Sequence, residues 1–188
     1  MKKKKWTTTK LMAIGAIAVL EILIGLLGAG ITITTGFVAA GGFINALTGA
    51  FMIVFTILVI QTFGAGTIKS LILGIIVLPL PLIVTPGFLP KVLIAFICGL
   101  VADITYYVLR KKQKLAVFFT GSLTQLCMAL GIFYFGHLFK IPGMEFMSKL
   151  LFSPLALVYI VLTGLVGLFA LKIYEKIKNT SVIKRIQK

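Results

Sequence analysis

The sequence has few charged residues, and very few of those are acidic. Only 12% of its 188 residues are charged, and Lys and Arg outnumber Asp and Glu by 19 to 4. A soluble domain carries roughly a quarter charged residues, so most of this chain has no surface suited to water. The shortage of charge excludes an ordinary soluble globular protein.

Side chains that carry chemistry are also scarce. There is one histidine, His137, and the two cysteines, Cys98 and Cys127, fall inside apolar runs. Their spacing does not indicate a disulfide or a zinc site, so we interpret them as small buried hydrophobic residues. The chain has no P-loop, H-E-x-x-H or G-x-S-x-G motif. We therefore expect no enzyme activity, cofactor or metal, and any ATP-driven process would need separate subunits.

Apolar residues, by contrast, make up 60% of the chain, in blocks long enough to cross a bilayer. A hydrocarbon core of about 30 Å needs about 20 helical residues. The blocks predict a single all-α, polytopic integral membrane domain over residues 1–188, built as a bundle of six transmembrane helices. The predicted spans are about 11–29, 43–62, 67–84, 89–109, 115–135 and 149–173. Pro79 and Pro81 are expected to kink or end the third helix, because proline has no N–H donor.

The basic residues predict the orientation of these spans. If the N-terminus is inside, sixteen of the 19 Lys and Arg, Lys69 among them, fall on the inner side, and only Lys91, Lys140 and Lys149 fall outside. This bias places both termini in the cytoplasm, in the plasma membrane of a prokaryote. The basic runs, at residues 2–5 and 110–114, lie beside apolar blocks, so we interpret them as orienting charges and expect no binding to nucleic acid.

The first apolar block needs its own interpretation. Residues 1–10 followed by an apolar run resemble a secretory signal peptide. The run from Leu11 to Gly30 is long for such a peptide, however, and Glu21 interrupts it. We interpret it as a retained first span.

Two acidic residues lie inside predicted spans, where polar groups are costly. Glu21 is eleven residues past Lys10, which is about 16 Å along a helix and near the middle of the bilayer. It is either a substrate contact or proton relay, or a neutral carboxyl that hydrogen-bonds a neighbouring helix. Asp103 lies in the inner half of helix four. For Asp103 we favour a pairing with Lys or Arg, or a polar anchor at a helix junction, over substrate contact.

Other polar residues are predicted to line a cavity that opens outward. Small-molecule sites usually combine apolar walls with a few polar groups. Tyr residues also collect at membrane interfaces, and a single His beside Met144 and Met147 is more typical of a solvated residue than of a haem or metal ligand. Lys91, Lys140 and Lys149 would ring the outer mouth, where they attract an anionic substrate or are simply exposed. The candidate substrate-binding residues are Glu21, Thr34, Asn45, Gln125, Tyr134, His137 and Tyr159.

Small residues four apart indicate where helices pack closely. Gly42, Ala46 and Ala50 have this spacing on helix two, and Ala95 and Gly99 have it on helix four. We interpret both sets as intramolecular packing faces in preference to a face that binds a partner.

Two local runs, FGAGTIKSLILGII at residues 63–76 and PKVLIAFICGLVADI at residues 90–104, carry a resemblance to a known family. With the length, the six spans, the Lys-rich N-terminus and the Gly-x-x-Ala-Asp element at residues 99–103, the chain resembles the substrate-binding (S) components of energy-coupling-factor (ECF) type ABC transporters. The resemblance covers nearly the whole chain.

The resemblance implies a subunit that binds a vitamin or related micronutrient in an outward-facing cavity. It also implies partners, a transmembrane coupling (T) subunit and two cytosolic ATPase subunits, with toppling in the membrane to carry the substrate inward. Many members carry Ala-x-x-x-Ala on helix one for docking of the coupling subunit. Here Ala13 is followed by Ile17 at that spacing, so docking through Ala13, Gly15 and Ala16 rests on an imperfect motif.

Other functions stay open. A self-contained channel or secondary carrier for small solutes is the alternative, and an intramembrane enzyme or assembly factor is less favoured because catalytic groups are lacking. The substrate, whether a vitamin precursor, a cobalamin-like cofactor, haem or a small carboxylate, is not identified by the sequence.

Overall fold

The fold is known from a computed structural model, which describes residues 6–35, 38–80, 86–141 and 144–187. All regular structure in these residues is helical, which confirms the predicted all-α class. The helices are α1 (Thr8–Thr35), α2 (Val38–Ile60), α3 (Ala65–Ile76), α4 (Pro90–Leu109), α5 (Gln113–Leu138), α6 (Met144–Leu151), α7 (Pro154–Ile177) and α8 (Ser181–Gln187).

Five of these helices are long and apolar enough to cross a membrane: α1, α2, α4, α5 and α7. Each has at least 20 residues, which is about the length that a bilayer requires. Five apolar helices of this kind are compatible with a protein embedded in a membrane.

The third helix is shorter than predicted. The expected span of residues 67–84 becomes α3, which has 12 residues and a length of about 18 Å. It ends at Ile76, and residues 77–80 continue as tight turns in which the Leu80 amide donates to the Val77 carbonyl at 3.0 Å. The helix thus ends three residues before Pro79. This end is expected, because proline cannot continue the hydrogen-bond ladder. Pro81 lies outside the described residues.

Other boundaries also differ from the prediction. The Gly- and Thr-rich stretch 30–42, which lies between the first two predicted spans, is largely helical, because α1 continues to Thr35 and α2 begins at Val38. Helical backbone satisfies its own hydrogen bonds, which an apolar environment demands even of residues with poor helix propensity. The predicted span 149–173 is divided between α6 and α7, with Pro154 opening α7 at a position that suits proline.

The long helices and α3 pack as a closed ring. Following the contacts, α1 packs on α2, α2 on α7, α7 on α5, α5 on α4, α4 on α3, and α3 on α1. The largest buried cluster draws residues from all six helices of the ring, among them Ile14, Val54, Ala65, Ala102, Val117 and Ala170. This cluster occupies one half of the bundle.

Both ends of the described chain meet at that half. The Lys10 ammonium donates to the Thr62 hydroxyl at 3.3 Å, just past the end of α2. In α8, the Gln187 amide donates to the Val59 carbonyl at 3.1 Å, and Ile183 is buried in the same cluster as Ile14. We call this the terminal end of the bundle and the opposite one the far end.

A carboxylate holds the start of α3 against α4. Asp103 accepts hydrogen bonds from the backbone amides of Gly66 at 3.0 Å and Thr67 at 2.8 Å, and from the Thr67 hydroxyl at 2.6 Å. These are orphan donors of a helix N-terminus, where a negative charge is favourable. The interpretation of Asp103 as a polar anchor at a helix junction is confirmed.

Glycine permits the close approach that this anchor needs. A Cβ added to Gly99 would lie 2.5 Å from the Thr67 Cα, and one added to Gly74 would lie 2.8 Å from the Ala95 side chain. The helix-four pair Ala95 and Gly99 therefore packs within the chain, as predicted. On α2, Ala46 and Ala50 are buried, but Gly42 is exposed and a Cβ there would meet nothing.

Candidate functional site

A cavity of about 160 Å³ lies inside the ring of helices. For comparison, an apolar cavity of about 150 Å³ can hold a benzene molecule. Residues from α1, α2, α3, α4, α5 and α7 contribute to its wall, and most of the wall is apolar. The polar side chains in the wall are those of Glu21, Asn45, Thr48, Lys69, Ser70, Lys91, Cys98, Thr124, Gln125 and Tyr159.

An ion pair between α1 and α3 forms part of the wall. The Lys69 ammonium contacts the Glu21 carboxylate, and the two residues are only 2% and 8% exposed. Glu21 thus contacts a neighbouring helix through a charge and also faces the cavity. Lys69, which was counted among the inner-side charges, is not an exposed charge beside a span. It lies in the second turn of α3, whose packing against α1 directs it into the bundle.

A second polar group joins α5 and α7. The Tyr159 hydroxyl lies 3.5 Å from the Gln125 side-chain oxygen, to which it donates a long hydrogen bond. Gly49 of α2 faces the same amide, since a Cβ there would lie 2.9 Å from the Gln125 nitrogen and 3.6 Å from the Glu21 carboxylate. The missing side chain at Gly49 leaves room for both groups at the cavity wall.

Asn45 lies where α2 crosses α1. Its side-chain oxygen is buried and accepts no hydrogen bond from the part of the chain that the structure describes. The oxygen would lie 2.9 Å from a Cβ added to Gly28, so the glycine makes space for it. A buried acceptor without a donor is costly, so a hydrogen-bond donor from a bound molecule would stabilise it.

Lys91 is a further charge in the wall. It is 3% exposed, and its ammonium donates to the Leu80 carbonyl at 3.0 Å. The expectation of an exposed Lys91 at the outer mouth is therefore wrong. The turn after α3 folds back beside the first turn of α4 and covers the side chain, whereas Lys140 and Lys149 are exposed as predicted.

Four of the seven predicted site residues are thus brought together, namely Glu21, Asn45, Gln125 and Tyr159. The other three do not line the cavity. The Thr34 hydroxyl is exposed and donates to the Gly30 carbonyl at 3.0 Å within its own helix. Tyr134 is 64% exposed, and the exposed His137 packs its ring against Phe133 with centroids 4.6 Å apart.

Helical geometry explains which predicted residues fail. Tyr134 follows Gln125 by nine residues, about two and a half turns, so the two side chains leave α5 on opposite faces. Lys69 lies on the same side of α3 as Leu73 and Val77, which follow it at four-residue steps and also line the cavity. The sequence alone does not show which face of α3 is turned inward. Lys91 gives no comparable signal, since the turn that buries it is not apparent from periodicity.

The three predicted docking residues point in different directions. Ala16 is exposed on the outer side of α1, and Gly15 is half-buried with nothing near a hypothetical Cβ. Ala13 instead packs partly against the buried cluster. Of these three residues, Gly15 and Ala16 offer a small, accessible surface on α1.

The remaining chemical groups do not form a metal or redox centre that the structure records. Cys98, which is buried, and Cys127, which is half-buried, are free thiols. Within the described ranges there is no group of three or more His, Cys, Asp or Glu that could hold a metal ion.

Comparison with known proteins identifies no relative: the chain matches no family model, no curated protein and no solved structure.

Proposed function

We propose that the chain is the substrate-capture subunit of an ECF-type ATP-driven importer, which binds a vitamin or related micronutrient in its cavity. The observation that carries the proposal is the cavity itself. Buried polar residues from different helices converge on one small space inside an otherwise apolar bundle. Intramembrane ionisable residues that face such a space usually mark a substrate path.

The proposal includes a topology. We place the terminal end of the bundle in the cytoplasm of a prokaryote and propose six crossings, of which the third consists of α3 and the residues that follow it. The terminal end carries the basic connection 110–114 together with Lys172, Lys176 and Lys178. Basic residues favour the cytoplasmic side, and an even number of crossings returns both termini to it.

The groups in the cavity suit binding better than catalysis. Glu21 is engaged by Lys69, and Gln125 by Tyr159, so neither pair presents a free nucleophile or base. Energy for import would come from a transmembrane coupling subunit and two cytosolic ATPases. We propose that the coupling subunit contacts the outer face of α1 at Gly15 and Ala16.

Co-purification tests this proposal. The tagged chain, expressed in its own cells and extracted in mild detergent, should bring down a membrane subunit and P-loop ATPases in stoichiometric amounts. Mass spectrometry should find a small molecule retained by the purified chain. A chain that retains no small molecule and recruits no ATPase would not be a capture subunit of this type.

A self-contained secondary carrier is the second candidate, and the buried Glu21–Lys69 pair favours it. Charged pairs inside a bundle often belong to proton or ion pathways. The chain alone in liposomes would then move solute without ATP, driven by an ion gradient. Transport of this kind by the wild type, abolished in Glu21→Gln, would replace the importer proposal.

A further inference from the structure

The charges that face the cavity do not cancel. Three ionisable side chains carry them: Glu21, Lys69 and Lys91. Glu21 and Lys69 neutralise each other. Lys91 remains as one positive charge with no carboxylate opposite it.

The rest of the chain offers no carboxylate for Lys91. The sequence has four acidic residues, all in described segments. Asp103 accepts hydrogen bonds from the start of α3. Neither Asp103 nor the exposed residues Glu145 and Glu175 line the cavity. No carboxylate of the chain therefore compensates the charge of a protonated Lys91.

The ammonium of Lys91 also has unused hydrogen-bonding capacity. An ammonium group has three N–H donors. Among the described residues one of these is used, by the Leu80 carbonyl at 3.0 Å. With the side chain 3% exposed, water from outside the bundle has little access to the others.

The position of Lys91 adds a further cost. It is the second residue of α4, which begins at Pro90. The N-terminal turn of a helix carries partial positive charge, so a cation there is disfavoured and an anion is favoured. A buried, unpaired cation in this turn weakens the empty protein, whereas a bound anion would remove both penalties.

The rest of the wall indicates what else the bound molecule carries. Asn45 presents a buried oxygen that needs a hydrogen-bond donor. Apolar side chains of Ile22, Leu73, Ile94 and Met128 make up much of the remaining wall. One net positive charge matches a monoanion better than a phosphate, whose charge is about −1.5 to −2 at neutral pH.

We infer that the cavity takes a small monocarboxylate with an apolar body and one hydrogen-bond donor, its carboxylate on the Lys91 ammonium and its donor on the Asn45 oxygen. This substrate class rests on the proposed function of substrate capture. A neutral molecule of the same shape should bind less tightly because it leaves the charge uncompensated, and a cationic one should be repelled.

A matched pair of probes tests the inference. Binding of 4-hydroxybenzoate and of its neutral isostere 4-hydroxybenzamide is measured by calorimetry on the full chain in lipid nanodiscs. We expect the carboxylate to bind at least about tenfold more tightly, because a charge-assisted hydrogen bond is roughly twice as strong as a neutral one. Equal binding of the two, or no binding of either at millimolar concentration, would overturn the inference.

Variants assign the preference to Lys91. Lys91→Met should bind the two probes about equally. Lys91→Arg should keep most of the preference for the carboxylate. Lys140→Met is the control, because Lys140 is an exposed lysine near the end of α5 that does not line the cavity. A carboxylate preference that persists in Lys91→Met would place the anion elsewhere and contradict the inference, and the wild-type comparison stands even if that variant does not fold.

The two proposals fail in different ways. Lys91-dependent carboxylate binding without recruitment of ATPases would leave this inference standing and remove the importer function. A chain that recruits ATPases and retains a neutral or cationic molecule would keep the importer function and remove the monocarboxylate.

Discussion

Two buried charges, Glu21 and Lys69, meet across α1 and α3 in a part of the molecule where single charges are hardly tolerated. Each is acceptable because the other is present. Removing one partner of a buried pair leaves an uncompensated charge, which costs about 3–5 kcal/mol, whereas replacing both by apolar residues is often neutral.

The variant Lys69→Met should therefore lower the free energy of unfolding by on the order of 3–5 kcal/mol. The double variant Glu21→Leu/Lys69→Met should regain most of that loss while still failing to bind substrate, because the polar wall is gone. Reversible unfolding of the chain in mixed micelles measures both. A double variant less stable than Lys69→Met would show that the pair is not the source of the effect.

Asp103 provides a second test at the level of one side chain. Asp103→Ala removes three hydrogen bonds at the start of α3, and we expect a loss of roughly 2–4 kcal/mol of unfolding free energy. Thr67→Val removes only the hydroxyl bond and should cost about 1 kcal/mol. Thermal unfolding in detergent distinguishes them, and equal losses in the two variants would contradict the anchoring role of the backbone bonds.

The sequence indicates which polar residues lie within the apolar helices better than it indicates their direction around a helix. Glu21 was expected inside the first span, and it lies within α1 at the cavity wall. Its partner Lys69 was missed because a pair between helices depends on how each helix is rotated. The burial of Lys91 was missed for another reason, since the turn that covers it lies outside the periodic pattern of the helices.

At the scale of helices, the crossing of α3 and α4 depends on glycine. A Cβ at Gly99 would be 2.9 Å from the Gly66 carbonyl oxygen as well as 2.5 Å from the Thr67 Cα. Both obstacles are backbone atoms, so a side chain can be accommodated only by moving a helix. Moving α3 would also stretch the bonds from Asp103.

We accordingly expect Gly99→Ala to lower the free energy of unfolding by about 1–3 kcal/mol, the usual cost of overpacking. Gly42→Ala is the matched control, because that glycine is in a helix and a Cβ there meets nothing. The control should be neutral or more stable by up to about 1 kcal/mol. Comparable losses of stability in the two variants would show that the close packing around Gly99 is not the cause.

The outer face of α1 is the docking site for the coupling subunit in the importer proposal. Ala16→Trp should abolish co-purification of the coupling subunit while leaving the unfolding temperature of the isolated chain unchanged, because Ala16 is exposed. Leu157→Trp on the exposed face of α7 is the control and should have no effect on recruitment. An Ala16→Trp chain that still recruits its partners would remove α1 as the docking site.

Hydrophobicity alone predicts most of the helices and little of their ends. Blocks of apolar residues locate α1, α2, α4, α5 and α7. Hydrophobicity does not show that α3 is short, because residues 71–84 are apolar throughout and hydrophobicity does not report where hydrogen bonding stops. Only Pro79 and Pro81 indicated an early end. The helical character of residues 30–35 was hidden by Gly and Thr, whose preference for loops in water does not hold in an apolar environment.

For the molecule as a whole, the proposed orientation is open to direct labelling. In a Cys98→Ala/Cys127→Ala background, an impermeant maleimide added to intact cells should label Lys140→Cys at the far end. It should not reach Lys112→Cys or Lys178→Cys until the membrane is opened. Labelling of Lys112→Cys in intact cells would reverse the orientation. Labelling of only one of the two terminal-end positions would contradict an even number of crossings between them.

The last helix has a consequence for how the molecule is made. Gln187 hydrogen-bonds the Val59 carbonyl, and Ile183 completes a cluster that begins with Ile14. Chains generally begin to fold from the N-terminus as they are synthesised. Here α1 and α2 stay uncovered at the terminal end until α8 has been synthesised and has packed on them. Until then, chaperones or proteases at the membrane surface can act on the incomplete bundle.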